Sequence, residues 1–414
     1  MYDFDPADNG AGPLWDYGAP GVVRQGDTVF AAGLDTIAGA KPLNNCRWVL
    51  HRRGARGWQR VYTDQGNRQR EPCPIGIFRD GRLLVSTNPT LTPPDAYNGP
   101  ADPQILAFRT RDFRKSPQVL RPAFSGEPRL SEHTYRGLGI DGANSELLVL
   151  HNDGRGAPRA HWVFLDRAGA WSNSGVITYP ICGCYPQVAL RNVTAHVLAV
   201  GDIVEPVAEW RKWKFEQSRR EWDYVFRRLF YVRNLNAARD QFGDVIEVAN
   251  VDRTAGHITN LDLWLAPDGA AHLLYLQRSV ATAALRYRFF PGLPLTVSLE
   301  HCVIRDAGVS ARRTLVAGGD GAGPLTPAYA RFHSSPAGRL FVLASLRDKA
   351  SLETRLFELG SEATRADAVV GLRYPFVNFM TATERGGSRS SNLIDVIGIA
   401  AGAPRAIRYA RIRI

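Results

Sequence analysis

One short pattern recurs seven times, and it constrains the fold more than any other feature of the sequence. In each copy, an extended run leads into a polar turn, and an apolar run of strand length follows. The turns carry Gly, Asn, Asp or Ser, which are the residues that hairpin turns prefer. The copies lie at residues 22–33, 75–87, 137–152, 188–202, 263–278, 329–345 and 379–400.

The spacing between the copies indicates how the hairpins are arranged. A separation of roughly 50 to 75 residues suits a blade of four strands. Fainter β-rich runs between the copies, such as 46–53 and 57–63, supply third and fourth strands, and long amphipathic helices are hard to find. We therefore predict an all-β fold, a single seven-bladed β-propeller that occupies residues 1–414.

Two segments depart from the repeat. The last segment, 405–414, alternates polar and apolar residues as an edge strand does, and we expect the ring to close between the two termini, because an open edge invites aggregation. The stretch 203–224 is charged, rich in tryptophan and partly helical in pattern. We interpret it as an insertion over one face of blade four, and a solvated surface helix is the alternative interpretation.

The charge of the chain points to anionic partners without identifying them. The net charge is +11, and all but five of the 51 basic residues are arginine. A polyanion, either nucleic acid or an acidic polysaccharide, would be attracted by this charge. A genome that favours arginine codons explains the composition equally well. Because the arginines are scattered and no RNA-binding signature is present, we predict no nucleic-acid partner.

Membrane and compartment signals are weak. No apolar run approaches the roughly 18 residues of a membrane span, so we predict no membrane partner. The first residues are acidic and polar, unlike a signal peptide. The compartment stays open between the cytoplasm and a secreted or periplasmic location after removal of a leader. We expect a monomer.

Polar residues concentrate where the predicted inner strands begin and where the second strands end. In a propeller these positions converge on one rim of the central channel, and polar side chains there need partners or a ligand. We predict that this rim binds substrate. The predicted binding residues are Arg70, Glu71, Tyr135, Arg136, Asn152, Asp202, Glu205, His257, Asn260 and Arg278.

Two histidines of one blade form the most specific pair. His133 precedes the first strand and His151 ends the second, so the hairpin brings them side by side. Two neutral imidazoles and a tyrosine can move protons near neutral pH. The alternative is a structural pair, hydrogen-bonded across the hairpin. We predict no required cofactor, although a zinc or calcium ion shared with His257 stays open; zinc would need ring nitrogens at about 2.1 Å.

This layout resembles the seven-bladed propeller polysaccharide lyases that act on uronic-acid bonds, the ulvan lyases and rhamnose–glucuronate lyases. The segment SEHTYRGLGID with LLVLHND matches the two histidines of that family. The segment TYPICGCYPQVAL supplies the family's tyrosine, which is Tyr185 by blade position, with Tyr179 as a rival. The arginine that follows in the family is missing, and Asp202 stands at its position.

The resemblance implies an enzyme that cleaves an acidic oligo- or polysaccharide by β-elimination. His133 and His151 would act as acid and base or would neutralise the substrate carboxylate, and Tyr185 would be the proton-transfer partner. Because a lyase needs a cation at that carboxylate, an arginine from a neighbouring blade would replace the missing one. The candidates for this role are Arg70, Arg136 and Arg278.

Two other functions stay open at this stage. A glycoside hydrolase would use Asp202 or Glu205 with a second carboxylate. A propeller without catalysis would bind glycans or proteins, since the fold hosts many functions. Several tryptophans suit stacking on sugar rings, although most tryptophans in such a fold belong to the core. These are Trp210, Trp213, Trp222 and Trp264.

Overall fold

The fold is a seven-bladed β-propeller, as the sequence predicts. The computed structural model describes residues 1–15, 19–132, 135–154, 156–306, 308–348, 351–360 and 364–414. Seven antiparallel sheets of four strands surround a central channel, and each predicted hairpin forms the first two strands of one blade. The repeat in the sequence is therefore the inner half of a blade.

Blades one to four follow one another along the chain, with the inner strand first in each. A short strand, β1 (Tyr2–Asp3), precedes them. The strands are β2 (Val22–Gln25), β3 (Thr28–Thr36), β4 (Cys46–Gly54) and β5 (Gly57–Thr63) in blade one; β6 (Ile75–Ile77), β7 (Arg82–Thr87), β8 (Gln104–Arg109) and β9 (Gln118–Leu120) in blade two; β10 (Arg136–Asp141), β11 (Glu146–Asn152), β12 (Arg159–Leu165) and β13 (Trp171–Thr178) in blade three; and β14 (Gly183–Arg191), β15 (Thr194–Gly201), β18 (Arg228–Asn234) and β19 (Ile246–Asn250) in blade four.

Blades five to seven complete the ring. The strands are β20 (His257–Leu265), β21 (Ala271–Arg278), β22 (Thr296–Arg305) and β23 (Gly308–Gly319) in blade five; β24 (Thr326–Ser334), β25 (Leu340–Arg347), β26 (Leu352–Leu359) and β27 (Thr364–Val370) in blade six; and β28 (Phe376–Thr381), β29 (Leu393–Ala400) and β30 (Ala406–Arg413) in blade seven.

The two termini share blade seven. Strand β1 pairs with β30, with Tyr2 opposite Ile407 and Asp3 opposite Ala406. The ring therefore closes between the termini, as expected. The interpretation of 405–414 as an edge strand is wrong, however, because β30 is the third strand of the blade and β1 covers its outer edge.

The segment after β15 carries the longer helix. Helix α1 (Ala208–Ser218) lies between two short paired strands, β16 (Ile203–Val204) and β17 (Tyr224–Val225). A second helix, α2 (Ala283–Phe289), follows β21, and a 3₁₀ turn spans Asp252–Thr254. Trp213 of α1 packs edge-on against Phe289 of α2, with ring centroids 5.6 Å apart. In the described part of the chain, neither helix is long and apolar enough to cross a membrane.

The hydrophobic core lies between neighbouring blades. Val23 and Phe30 of blade one share a buried cluster with Ile75 of blade two, and similar clusters join the other blades. Near the channel the inner strands approach closely. A Cβ atom at Gly139 would lie 2.6 Å from Cγ1 of Val188 on the next blade, so only glycine fits there.

The turn between β28 and β29 closes one end of the channel. We call residues 382–392 the channel plug. The carbonyl of Arg385 accepts a hydrogen bond from the Ile140 amide at 2.9 Å, and that of Gly386 accepts one from the Ile77 amide at 2.8 Å. The Arg385 guanidinium pairs with Asp262 at 2.6 Å. One hairpin turn of blade seven is thereby bound to blades two, three and five.

Candidate functional site

The channel has two different ends. At the rim end, the first strand of each blade begins and the second strand ends. At the turn end, the hairpin turns between these strands meet the channel plug. Two pairs of predicted site residues are opposite each other at the rim end, Arg136 with His151 and His257 with Arg278. His133 lies outside the described residues, so its predicted role stays a prediction.

Tyr185 occupies a strained position at the rim end. It lies at a β-bulge between β14 and β15, and its φ of 49° is in the left-handed region. Few residues without glycine's freedom adopt this backbone, and such strain clusters at functional sites. The Asn260 side chain donates to the Tyr185 carbonyl at 2.8 Å and connects blades four and five there.

Aromatic rings surround Tyr185. Its ring centroid lies 4.7 Å from that of Tyr135, 6.2 Å from that of Phe226 and 6.1 Å from that of Trp15. These contacts extend across two blades and reach the N-terminal segment. The phenol is therefore packed on several sides while its residue stays partly exposed.

A tyrosine–carboxylate hydrogen bond lies beside Tyr185. The Tyr135 hydroxyl donates to Oδ2 of Asp202 at 3.1 Å, across the boundary between blades three and four. Burial raises the pKa of Tyr135, and the neighbouring Cys184, Tyr185, Asp202 and Glu71 raise it further. Tyr135 is therefore a protonated donor at neutral pH, and it fixes one oxygen of Asp202.

A cavity of about 490 Å³ opens beside Asp202. Trp222, which is 66% exposed, and Tyr224 contribute aromatic surface to it. The cavity thus brings Asp202, which accepts the Tyr135 hydrogen bond, next to a surface on which a sugar ring can stack. Its other lining residues are Gly156, Pro158, Pro180, Ile181, Cys182, Ile203 and Val204.

The structure separates Trp222 from the other three tryptophans that the sequence suggests for stacking. Trp210 and Trp213 pack against Phe289 at the helices, and Trp264 is buried. Tyr179, the rival of Tyr185, is also buried and packs against Phe230 in the core between blades three and four. Position alone therefore favours Tyr185 and Trp222.

His151 is completely buried behind the rim. Neither ring nitrogen has a hydrogen-bond partner among the residues that the structure describes, and the His151 ring lies 5.3 Å from that of Phe124. Burial lowers the pKa of His151 well below its ordinary value, with further contributions from Arg136 and His161. The imidazole is neutral, as the sequence hypothesis requires, but it has no solvent-exposed surface.

Two predicted binding residues of blade three bond to neighbouring blades. The Arg136 guanidinium donates to the carbonyls of Ser86 at 2.8 Å and Pro72 at 2.9 Å. The Asn152 amide donates to the Gly183 carbonyl at 2.6 Å. All three polar contacts are buried, so Arg136 and Asn152 stabilise the junctions of blade three with blades two and four.

Arg70 and Glu71 are also buried. Nε of Arg70 donates to the Asn9 carbonyl at 3.1 Å, and Nη1 lies 3.4 Å from Glu71. Burial raises the pKa of Glu71, while Arg70 and Arg136 act in the opposite direction. Arg70 thus fixes the N-terminal segment over the rim.

Glu205 is held in an ion-pair network. Arg227 donates to both of its oxygens, at 2.9 and 2.5 Å, and Lys214 of α1 donates at 2.7 Å. Burial would raise the pKa of Glu205, but the hydrogen bonds from Arg227 and Lys214 hold it below its ordinary value. Glu205 is therefore a carboxylate that anchors helix α1.

His257 and Arg278 lie on adjacent strands of blade five. Burial lowers the pKa of His257 to about 4, and the positive charges of Arg278 and Arg227 add to this shift. The Phe226 ring, which also contacts Tyr185, lies 5.7 Å from the His257 ring. Arg278 is exposed and has no carboxylate partner among the described residues. It is therefore a cation that remains available to a ligand at the rim end.

The described residues contain no cluster of three His, Cys, Asp or Glu side chains that could hold a metal ion. All five cysteines are free and buried. The zinc or calcium alternative involves His133, so this structure does not test it.

The sequence does not single out the turn end, although a large cavity is there. This cavity has a volume of about 710 Å³ and is lined by Arg79, Arg191, Arg385 and Arg389. The signal in the sequence is the length of the seventh hairpin turn, which contains two of these arginines. The turn is long because it crosses the channel.

No protein-family model matches the sequence, and curated proteins give no sequence match either. Solved structures do match. An ulvan lyase of polysaccharide lyase family PL25, bound to -[GlcA(1-4)Rha3S]-, has a TM-score of 0.61 at 10% identity, covering 98% of this chain and 94% of that chain. The same type of enzyme without the saccharide gives a TM-score of 0.59 at 9% identity, with the same coverage.

A second kind of protein shares the architecture. Lignostilbene dioxygenase from Pseudomonas brassicacearum has a TM-score of 0.50 at 11% identity, covering 96% of this chain and 88% of that chain. The structural likeness to ulvan lyase that the sequence predicts is confirmed. At such low identities, these comparisons establish the fold.

Proposed function

We propose that this protein is a carbohydrate-active enzyme that cleaves a glycosidic bond beside an acidic sugar by β-elimination. The observation that carries the proposal is the meeting of Tyr185 with the Tyr135–Asp202 hydrogen bond, next to the cavity that exposes Trp222. The likeness to an ulvan lyase bound to a glucuronate-containing saccharide supports this choice of substrate class.

The substrate carboxylate needs a positive charge, because proton removal beside it creates an anion. Arg278 suits this role, since it is exposed at the rim end and has no carboxylate partner in the described chain. Arg136 and Arg70, the other candidates, already donate to backbone carbonyls in the interior. We therefore assign the anion contact to Arg278.

Elimination then requires one base and one acid. The base removes the proton beside the carboxylate, the electron pair forms the 4,5 double bond, and the bond to the leaving oxygen breaks. We assign proton exchange with the sugar to Tyr185, and the neutral imidazole of His257 lies opposite Arg278, the proposed anion contact. His133 would supply the second proton-transfer group, and the buried His151 would help to position it.

A glycoside hydrolase on this scaffold is less well supported. It would need two carboxyl groups, one of them protonated as a general acid. Glu205 cannot easily take that role, because Arg227 and Lys214 keep it ionised. Asp202 accepts a hydrogen bond from Tyr135, which suits a carboxylate that orients a phenol.

A substrate screen tests the proposal directly. The protein would be incubated with acidic polysaccharides and with neutral ones as controls, and both the ultraviolet absorbance of unsaturated uronides and new reducing ends would be measured. We expect both signals to rise together, on acidic substrates alone. Reducing ends without the absorbance would identify a hydrolase. Binding without either product would identify a glycan-binding propeller.

A further inference from the structure

The turn end contains a cavity that the proposed enzyme chemistry does not use. Its volume of about 710 Å³ falls in the range of about 300 to 1,000 Å³ that is typical of ligand pockets. The channel plug forms part of its wall through residues 384–390. A single inorganic ion would fill only a small part of this space.

The charges around the cavity are predominantly positive. Arg79 and Arg389 are exposed, and neither has a carboxylate partner among the described residues. Arg191 lies 3.5 Å from Glu384, which neutralises one charge. Two unpaired guanidinium groups therefore face one cavity from blade two and from the plug.

Arg385 adds a buried guanidinium. It is only 4% exposed and pairs with Asp262 through Nε and Nη2, while Nη1 has no hydrogen-bond partner in the described part of the chain. A buried donor without a partner is costly, and a bound acceptor would relieve that cost. Arg385 is also one of the residues that line the cavity.

Two carboxylates, Asp141 and Glu384, stand among the four arginines of the cavity. Asp141 accepts hydrogen bonds from the amides of Ala143 and Asn192, at 2.9 and 2.8 Å, and from the Asn144 side chain. Glu384 accepts from Nε1 of Trp264 at 2.5 Å. Both carboxylates thus have internal partners that hold them in place.

Part of the remaining wall is apolar and comes from three neighbouring blades. It offers contact surface to the carbon skeleton of a ligand whose anionic group faces the arginines. These residues are Leu190, Trp264, Leu265, Pro267 and Pro336.

We propose that the turn-end cavity binds an organic phosphate or sulfate ester of about the size of a sugar monophosphate. Arg79 and Arg389 contact the oxyanion, because guanidinium groups bind tetrahedral oxyanions through charge-assisted hydrogen bonds. The apolar wall contacts the organic part. This site is separate from the rim end and does not depend on the function proposed there.

Isothermal titration calorimetry at constant ionic strength tests the site. The probes are glucose 6-phosphate, glucose 6-sulfate, glucose, inorganic phosphate and inorganic sulfate. We expect both esters to bind and glucose not to bind. Arg79→Gln and Arg389→Gln should each weaken ester binding about tenfold, which corresponds to about 1.4 kcal/mol. Arg56→Gln, an exposed arginine in the β4–β5 turn, is the matched control and should bind like the wild type.

The outcomes separate the alternatives. If inorganic phosphate or sulfate binds as tightly as the esters, the oxyanion site stands but its natural ligand is the free ion. If no probe binds, or if both arginine variants bind like the control, the proposal is wrong. Thermal unfolding of each variant shows that lost binding does not reflect lost folding, and Arg389→Lys should retain part of the affinity.

Discussion

The two ends of the channel are built from the same seven hairpins, yet several of their polar groups differ in burial and in charge. At the rim end, Glu71, Tyr135 and His151 are largely withdrawn from water. Burial raises the pKa values of Glu71 and Tyr135 and lowers that of His151, which favours the uncharged form of each group. At the turn end, Arg79 and Arg389 remain exposed and charged.

This difference indicates different uses of one scaffold. Burial keeps these groups uncharged, and perturbed pKa values cluster at functional sites, although structural networks cause them as well. Exposed arginines keep their charge at every physiological pH and attract anions without chemistry. Variants of Tyr185, Arg385, His257 and Trp222 test this division between the two ends, in decreasing order of the expected effect.

The largest effect is expected at Tyr185. Tyr185→Phe removes only the hydroxyl, and it should lower turnover of the identified substrate by roughly 10² to 10⁴, because loss of a general acid/base has about that effect. Steady-state kinetics on the unsaturated product measures it. Tyr179→Phe is the matched control, since that hydroxyl is buried and no described residue forms a hydrogen bond with it. Equal activity of the two variants would remove Tyr185 from the mechanism.

We expect Arg385 of the channel plug to contribute more to the free energy of unfolding than Arg278 at the rim end. Among the described residues, Arg385→Met leaves Asp262 with the amides of Leu263 and Phe332 as hydrogen-bond donors, at 2.9 and 2.8 Å. Breaking a buried ion pair in this way costs about 3 to 5 kcal/mol, which urea unfolding would detect. Arg278→Met, at the exposed rim position, should change stability by less than about 0.5 kcal/mol. A similar small change in Arg385→Met would show that the plug is not a structural element.

Most of the architecture could be predicted because each inner hairpin is encoded locally. Alternating strands and turn residues identify it without knowledge of the other blades. Ring closure illustrates the limit. Segment 405–414 has the pattern of an edge strand, but Tyr2 and Asp3 cover that edge from the other end of the chain.

The site could be predicted only in outline. Blade geometry brings Tyr135, Tyr185 and Asp202 to one rim, and the structure places them together. The sequence could not reveal which polar residues are already satisfied, because the partners of Arg136 and Glu205 are set by contacts between blades and with the helix. Long-range pairing decides which charges remain for a ligand.

The pH dependence of stability should come from His257 more than from the arginines at the turn end. Its folded-state pKa of about 4 lies below the ordinary value of 6.5. Below pH 6.5 the unfolded chain therefore binds more protons, so the free energy of unfolding should fall as the pH drops toward 4. Each unit of pKa difference corresponds to about 1.4 kcal/mol at most.

His257→Asn should make this decline shallower in urea titrations at pH 7, 6, 5 and 4. Other histidines with lowered pKa values, such as His51 and His196, would supply the remaining slope. Arg79→Gln changes no group that titrates in this range, so its slope should equal that of the wild type. A parallel decline in His257→Asn would show that this imidazole is not buried in the neutral form in solution.

The smallest effect is expected at Trp222, where the cavity beside Asp202 opens to solvent. Trp222→Ala should raise KM about tenfold, equivalent to about 1.4 kcal/mol, with little change in kcat, because a stacking surface binds substrate and transition state alike. Trp222→Phe retains an aromatic face and should recover most of the affinity. The residue is 66% exposed, so neither variant should alter urea unfolding appreciably. If KM stays unchanged in the alanine variant, the sugar does not occupy this cavity. Equal loss of kcat and kcat/KM would instead place Trp222 in contact with the reacting part of the substrate.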